Sequence, residues 1–199
     1  MTVITKWSSD LTTLSRVELL EKIRAQINER RFAHVLRVEE KALELAQDKN
    51  VNLEKVSLAA LCHDYAKDRP DEEMIARIKA GDYDQEMLKF GSAIWHGDVG
   101  AELVSEELGI NDAEILNAIR LHTVGASEMS LLEKIIYVAD YTEAGRDFPG
   151  VEEARQITAV DLDEAVSFAT KHTLQHLIET NQKIYPKTLT TYNRWVAKL

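Results

Sequence analysis

The sequence has one cysteine, Cys62, which excludes a disulfide within the chain. It has 3 prolines and 8 glycines in 199 residues, and no low-complexity segment, internal repeat or linker interrupts it. No apolar run approaches the roughly 20 residues that cross a membrane. The opening MTVITKWSSD has no basic region followed by an apolar stretch, so no secretory signal is expected. These absences point to a cytoplasmic protein with no membrane partner. Basic residues are also scarce: 24 Lys and Arg stand against 34 Asp and Glu, a net charge of -10. A surface for nucleic acid needs a basic face, so a nucleic-acid polymer is not an expected partner. A small polyanion stays open as a ligand, because bound divalent metals reverse the field locally.

What is present is helix signal. Ser15 with Glu18 forms a capping box that opens a helix near residue 16. RFAHVLRVEEKALELA carries apolar residues at Phe32, Val35, Val38, Ala42 and Leu45, a helical spacing. Asn52 caps LEKVSLAALCHDYAK, which ends near Pro70, and DEEMIARIKA stops at Gly81. HGDVGAELVSEEL runs to Gly109, Asn111 with Glu114 caps EILNAIRLH, and Ser130 with Glu133 caps LLEKIIYVADYTE. Asp161 with Glu164 opens a long helix to about Asn181, and Pro186 precedes a last segment, TLTTYNRWVAKL. No stretch alternates with period two, so no strand is expected. The fold class is all-α, a single helical domain over 16–199 with residues 1–15 as an N-terminal extension.

Four histidines and two aspartates sit in these segments. His63-Asp64 falls inside the apolar LAALCHDYAK, where an ionisable pair is costly to bury without compensation. A divalent metal is the usual compensation, and imidazole with carboxylate is a suitable donor set. Neighbours on a helix diverge by ~100°, so both reach one centre only if the metal lies between their side chains. With His34, His96, His122 and Asp140 the order is H…HD…H…H…D, which resembles the HD phosphohydrolase pattern. That pattern's two-metal variety would place His34, His63 and Asp140 on one ion, His96 and His122 on the other, and Asp64 between them. A lone histidine on a helix is ordinarily a core or surface residue, and a two-residue HD match is common by chance. It is the full ordered set that points to metal.

RFAHVLRV, HDYAK, WHGDVGAEL, AIRLHTVG, LLEKIIYVADYTEAGRDFPGV and DLDEA together resemble the bacterial YqeK family of symmetrical bis(5'-nucleosyl)-tetraphosphatases, over about residues 16 to 193. The resemblance implies an HD-domain helical bundle and hydrolysis of diadenosine tetraphosphate to two ADP by a metal-activated water. It implies two divalent transition metals per chain, iron favoured over Mn, Co or Zn. It also implies a nucleotide pocket for a substrate or an ADP- or GDP-like product, and it leaves a homodimer open. Asp98, Val124 and Ala144 depart from the family pattern; none is an expected ligand.

Cations for phosphate are nominated by helical geometry. Lys67, four residues after His63 and three after Asp64, would share their face, and it joins Asp64 as an expected catalytic residue. Arg31 and Arg37 flank His34 at three residues either side. Arg31, Arg146 and Arg155 match the family pattern and are expected to bind substrate with Lys67; Arg37 does not match it. Against each stands the alternative of a solvated cation paired with an acidic neighbour. His172 and His176 have a spacing that can clamp a metal, but a polar helix face explains them. Cys62, Trp95 and Trp195 read as core. Phe148 also reads as core, with a nucleotide pocket as its other option. Rival functions are another HD activity on a nucleotide (a nucleotidase, a deoxynucleoside triphosphate hydrolase or a cyclic-nucleotide phosphodiesterase) and a nucleotide sensor without turnover.

Overall fold

Among the described residues, six of the ten α-helix starts follow from side chains that accept free amide hydrogens. The computed structural model describes residues 4–198, and among them every regular element is helical. Ser15 and Ser130 close complete capping boxes with Glu18 and Glu133, opening α1 (Arg16–Arg24) and α7 (Leu131–Thr142). Asn28 opens α2 (Glu29–Ala46), Asn52 opens α3 (Leu53–Cys62) and Asp161 opens α9 (Leu162–Glu179). The remaining helices are α4 (Asp71–Ala80), α5 (Ser92–Leu108), α6 (Ala113–Leu121), α8 (Val151–Thr158) and α10 (Pro186–Trp195).

α3 explains the arrangement. Every residue from Val56 to Cys62 is buried, so this helix is apolar all round and must be enclosed. α2, α6 and α7 pack around it, α5 packs on α6, and α9 packs on α7. No helix among the described residues is long and apolar enough to cross a membrane.

Four boundaries differ from the sequence expectation. α3 stops at Cys62, so His63 is its C-cap and Asp64 lies beyond it; bonds from Tyr65 to Cys62 and from Lys67 to Asp64 then tighten the chain into turns. α5 starts at Ser92, which places His96 one turn inside the helix and not at its start. Asp112, not Asn111, caps α6, while Asn111 accepts a hydrogen bond from Ser105. α8 was not expected; it starts after Gly150, whose φ of 93° suits a residue without Cβ.

Two residues of the segment before α1 belong to the core. Trp7 and Leu11 are 4% and 5% exposed. The Trp7 indole donates to Ser57 Oγ, Ser57 donates to buried Glu39, and Arg16 grips Glu39 with two nitrogens at 2.6 and 2.5 Å. Removing the indole would open a cavity and leave Ser57 with one partner fewer. Trp7→Ala should lower unfolding stability by about 3 kcal/mol in equilibrium urea denaturation. A loss below about 0.5 kcal/mol would make the segment a loose extension.

Candidate metal centre

The six expected ligands meet at one point inside the bundle. His34 comes from α2, His63 and Asp64 from the end of α3, His96 from α5, His122 from the end of α6, and Asp140 from the last turn of α7. All four histidines and Asp64 are buried. Asp64 has two faces. Its Oδ2 lies 3.6 Å from His34 Nε2 and 3.5 Å from His63 Nε2. Its Oδ1 lies 3.3 Å from His96 Nε2 and 3.7 Å from His122 Nε2. Asp140 Oδ1 stands 3.0 Å from His34 Nε2 and 3.8 Å from His63 Nε2.

The other ring nitrogens orient the cluster. His63 Nδ1 donates to Ala60 O and His122 Nδ1 to Ile119 O, both at 2.7 Å and both three residues back. His96 Nδ1 donates to Ser92 O at 2.9 Å, and His34 Nδ1 faces Glu143 Oε1 at 3.1 Å. With the protons held there, each Nε2 turns a lone pair inward, the tautomer that binds a metal. Helix ends supply two of these acceptors. The last carbonyls of α3 and α6 have no partner within their helices, and each takes the ring of its own C-cap histidine. Both helices also aim their negative ends at the centre, which favours a cation there.

The residues fit a divalent cation. His34 Nε2 and His63 Nε2 are buried without a hydrogen-bond partner. His96 Nε2 and His122 Nε2 stand 2.9 Å apart, with the Thr123 hydroxyl 3.2 and 3.0 Å from them. Groups of three donors drawn from His34, His63, Asp64, His96, His122 and Asp140 lie close enough to share an ion. Burial pushes the Asp64 carboxyl up, but the positive charge that His63 takes up when no cation is bound, with the imidazoles of His122 and His96 close by, outweighs it and holds Asp64 well below the usual carboxylate range. Asp140 is likewise held well below its usual range: burial opposes this, and the Arg146 charge and His34 prevail. Burial pushes His96 down to about 4, despite Asp64, which keeps the ring neutral near pH 7. His63 is buried too, but Asp64 and Asp140 raise its proton affinity, and a bound cation must displace that proton.

Cations ring the cluster. Arg31 Nη1 donates to Asp64 Oδ2 at 2.7 Å, and Arg146 bonds both the carboxylate and the carbonyl of Asp140. Lys67 Nζ stands 3.3 Å from His96 Nε2. Burial lowers its pKa, with the positive neighbours Arg31 and Arg146 adding to that against Asp64 and Asp140. These three, with Thr123 and Tyr141, line a cavity of about 270 Å³ over the centre. Through Tyr141, Arg146 and Thr173 it adjoins a larger cavity of about 510 Å³, lined also by Phe148, Pro149 and His172.

Similarity to known proteins agrees with this geometry. Residues 31–145 match the family model of the HD domain. A protein of Bacillus subtilis named symmetrical bis(5'-nucleosyl)-tetraphosphatase is 43% identical over 184 residues, covering 92% of this chain and 98% of the relative. One of the same name from Staphylococcus aureus is 36% identical, covering 84% and 88%. This chain belongs to the HD-domain family of symmetrical bis(5'-nucleosyl)-tetraphosphatases. A crystal structure from Clostridium acetobutylicum, described as a predicted HD superfamily hydrolase involved in NAD metabolism, superposes with a TM-score of 0.86. It is 34% identical and covers 97% of this chain and 99% of that one.

Not every expected contact lies at the centre. Arg155, expected to bind substrate, turns its guanidinium to the carbonyls of Thr142, Glu143 and Arg146 and to Glu152, so it braces the loop after α7. Its position on the unexpected α8 is the reason. His172 stacks on Phe168 at 3.9 Å and stands with His176 in the larger cavity, away from the six ligands. Phe148 packs edge-on against Tyr141 in the same cavity, while Cys62 and Trp95 are core. Glu143 was missed. It is buried, accepts from Arg37 Nε at 2.5 Å, and fixes the His34 ring. The signal available was an acidic residue three positions after Asp140.

Asp64→Ala removes the carboxylate that both histidine pairs share. Purified without chelator, this variant should lose at least nine-tenths of its bound metal by elemental analysis, while His172→Ala retains it. Full metal content in the Asp64 variant would refute a carboxylate shared by both histidine pairs.

Proposed function

We propose that this chain hydrolyses diadenosine tetraphosphate, and related dinucleoside polyphosphates, symmetrically to two nucleoside diphosphates. The observation that carries this reading is the four-histidine, two-aspartate cluster opening onto a cation-lined cavity that adjoins an aromatic one. The names of relatives over nearly the full chain support it. His34, His63 and Asp140 would hold one divalent ion and His96 and His122 a second, with Asp64 bridging. Imidazole donors suit Fe, Mn, Co or Zn better than Mg, and the resemblance favours iron. Bound there, such ions supply Lewis acidity, which polarises phosphoryl oxygens and acidifies water.

The protein's own groups do the rest. Arg31, Lys67 and Arg146 stand where phosphate oxygens enter, and their charge offsets what develops in the transition state. The aromatic cavity beside Tyr141 and Phe148 suits the base of one half. Water attacks the β-phosphorus of that half. The bridging bond breaks, and its oxygen leaves on the other nucleoside diphosphate. That leaving group has a terminal phosphate pKa of about 6, so it departs without a strong general acid.

Two measurements test this. In water labelled with heavy oxygen, early products should be nucleoside diphosphates alone, with label in half of them. Equal amounts of tri- and monophosphate would refute the symmetric cut. Lys67→Ala should keep its metal and lose about 10- to 1000-fold in kcat/KM. Unaltered kinetics would return Lys67 to a structural role.

A further inference from the structure

The centre opens on a second side. A cavity of about 190 Å³ lies between the start of α2 and the loop after α7, and Arg31 and Arg146 form walls common to it and to the cavity over the ligands. Four of its lining residues are arginines, Arg30, Arg31, Arg37 and Arg146, against one carboxylate, Glu143. This concentration of guanidinium occurs in a chain of net charge -10. Planar, weakly hydrated forks of this kind suit phosphate oxygens.

Arg31 and Arg146 already face Asp64 and Asp140. Arg30 and Arg37 belong to this side alone. Arg37 is fixed by Glu143 and lies against Gly145, where a Cβ would stand 2.5 Å from its Nε. Any side chain at 145 would displace the guanidinium, so the glycine lets it cross the loop. Arg30 is exposed at the rim and forms no ion pair among the described residues. A cation left without a carboxylate, beside three others, is free for an anionic ligand.

In an in-line displacement the departing half lies opposite the attacking water, so the two halves of the dinucleotide extend from the scissile bond on different sides. One side offers Tyr141, Phe148 and stacked His172; the other offers guanidinium groups. The two halves of the substrate are identical, yet the cavities are not. Resting on the reading of the reaction above, we propose that the arginine cavity receives the departing half. It holds that half by its diphosphate, while the aromatic cavity holds the attacked half by its base. Arg30 is then a specificity residue for a polyphosphate leaving group.

The metal-loaded enzyme tests this with two substrates. One is diadenosine tetraphosphate. The other is the β-(p-nitrophenyl) ester of ADP, which presents the same attacked half but leaves as nitrophenolate, with no phosphate for the cavity. The readout is the ratio of kcat/KM for the first substrate over the second. Arg30→Ala should lower that ratio about 3- to 10-fold, Arg30→Glu should lower it further, and Arg30→Lys should restore most of it. A ratio unchanged across the series, in an enzyme that still makes ADP from diadenosine tetraphosphate, overturns this proposal alone. Wild-type enzyme that makes no ADP from that substrate overturns the reading of the reaction, and this proposal with it.

Discussion

The structure depends on the cost of placing four imidazoles and two carboxylates within a few ångströms of one another inside a helical core. Bare lone pairs and anions do not crowd together in a dry interior unless positive charge stands among them. Here that charge comes partly from Arg31, Arg146 and Lys67 at the rim. The interior nitrogens are left over: His34 Nε2 and His63 Nε2 are buried and unsatisfied. Polar atoms abandoned in this way are rare in folded proteins, and a cation's coordination shell would account for them.

Helix ends make the crowding possible. α3 and α6 both stop at a histidine whose ring caps its own last turn, at 2.7 Å in each case. One hydrogen bond thus ends the helix, fixes the tautomer and aims the donor. α7 contributes Asp140 in its last turn, and the buried Glu143 that follows orients His34. The loop after α7 is held in turn by Arg155, whose guanidinium collects three backbone carbonyls. The same segments that create the centre also shape the cavities on either side of it.

Much of this was legible in the sequence. Capping boxes at Ser15 and Ser130 and the apolar run of α3 are local signals, and local physics decided those elements. The six candidate ligands that the fold brings together were legible as an ordered set with the local sequence around each, since a lone histidine on a helix marks nothing by itself. What escaped was tertiary. The turn after Cys62 depends on His63 bonding its own helix, which residue spacing does not disclose. Lys67 still lines the cavity, through turns and not through a shared helix face. Trp7 fell in the expected N-terminal extension because its partner Ser57, and Glu39 behind it, lie on other helices. Arg155 was expected at the phosphates because it matches the family pattern; that α8 turns it toward the loop was hidden, since α8 has a polar sequence and starts after Gly150 without a side-chain cap.

The central claim is that Asp64 stands between two cation positions, one for each carboxylate oxygen. Anomalous diffraction from crystals of metal-loaded protein addresses it directly. The account predicts two peaks about 3.5–4 Å apart, with Asp64 Oδ2 on the ion held by His34 and His63 and Oδ1 on the ion held by His96 and His122. A single peak bound by Asp64 through one oxygen, or metal at His172 and His176, would contradict it.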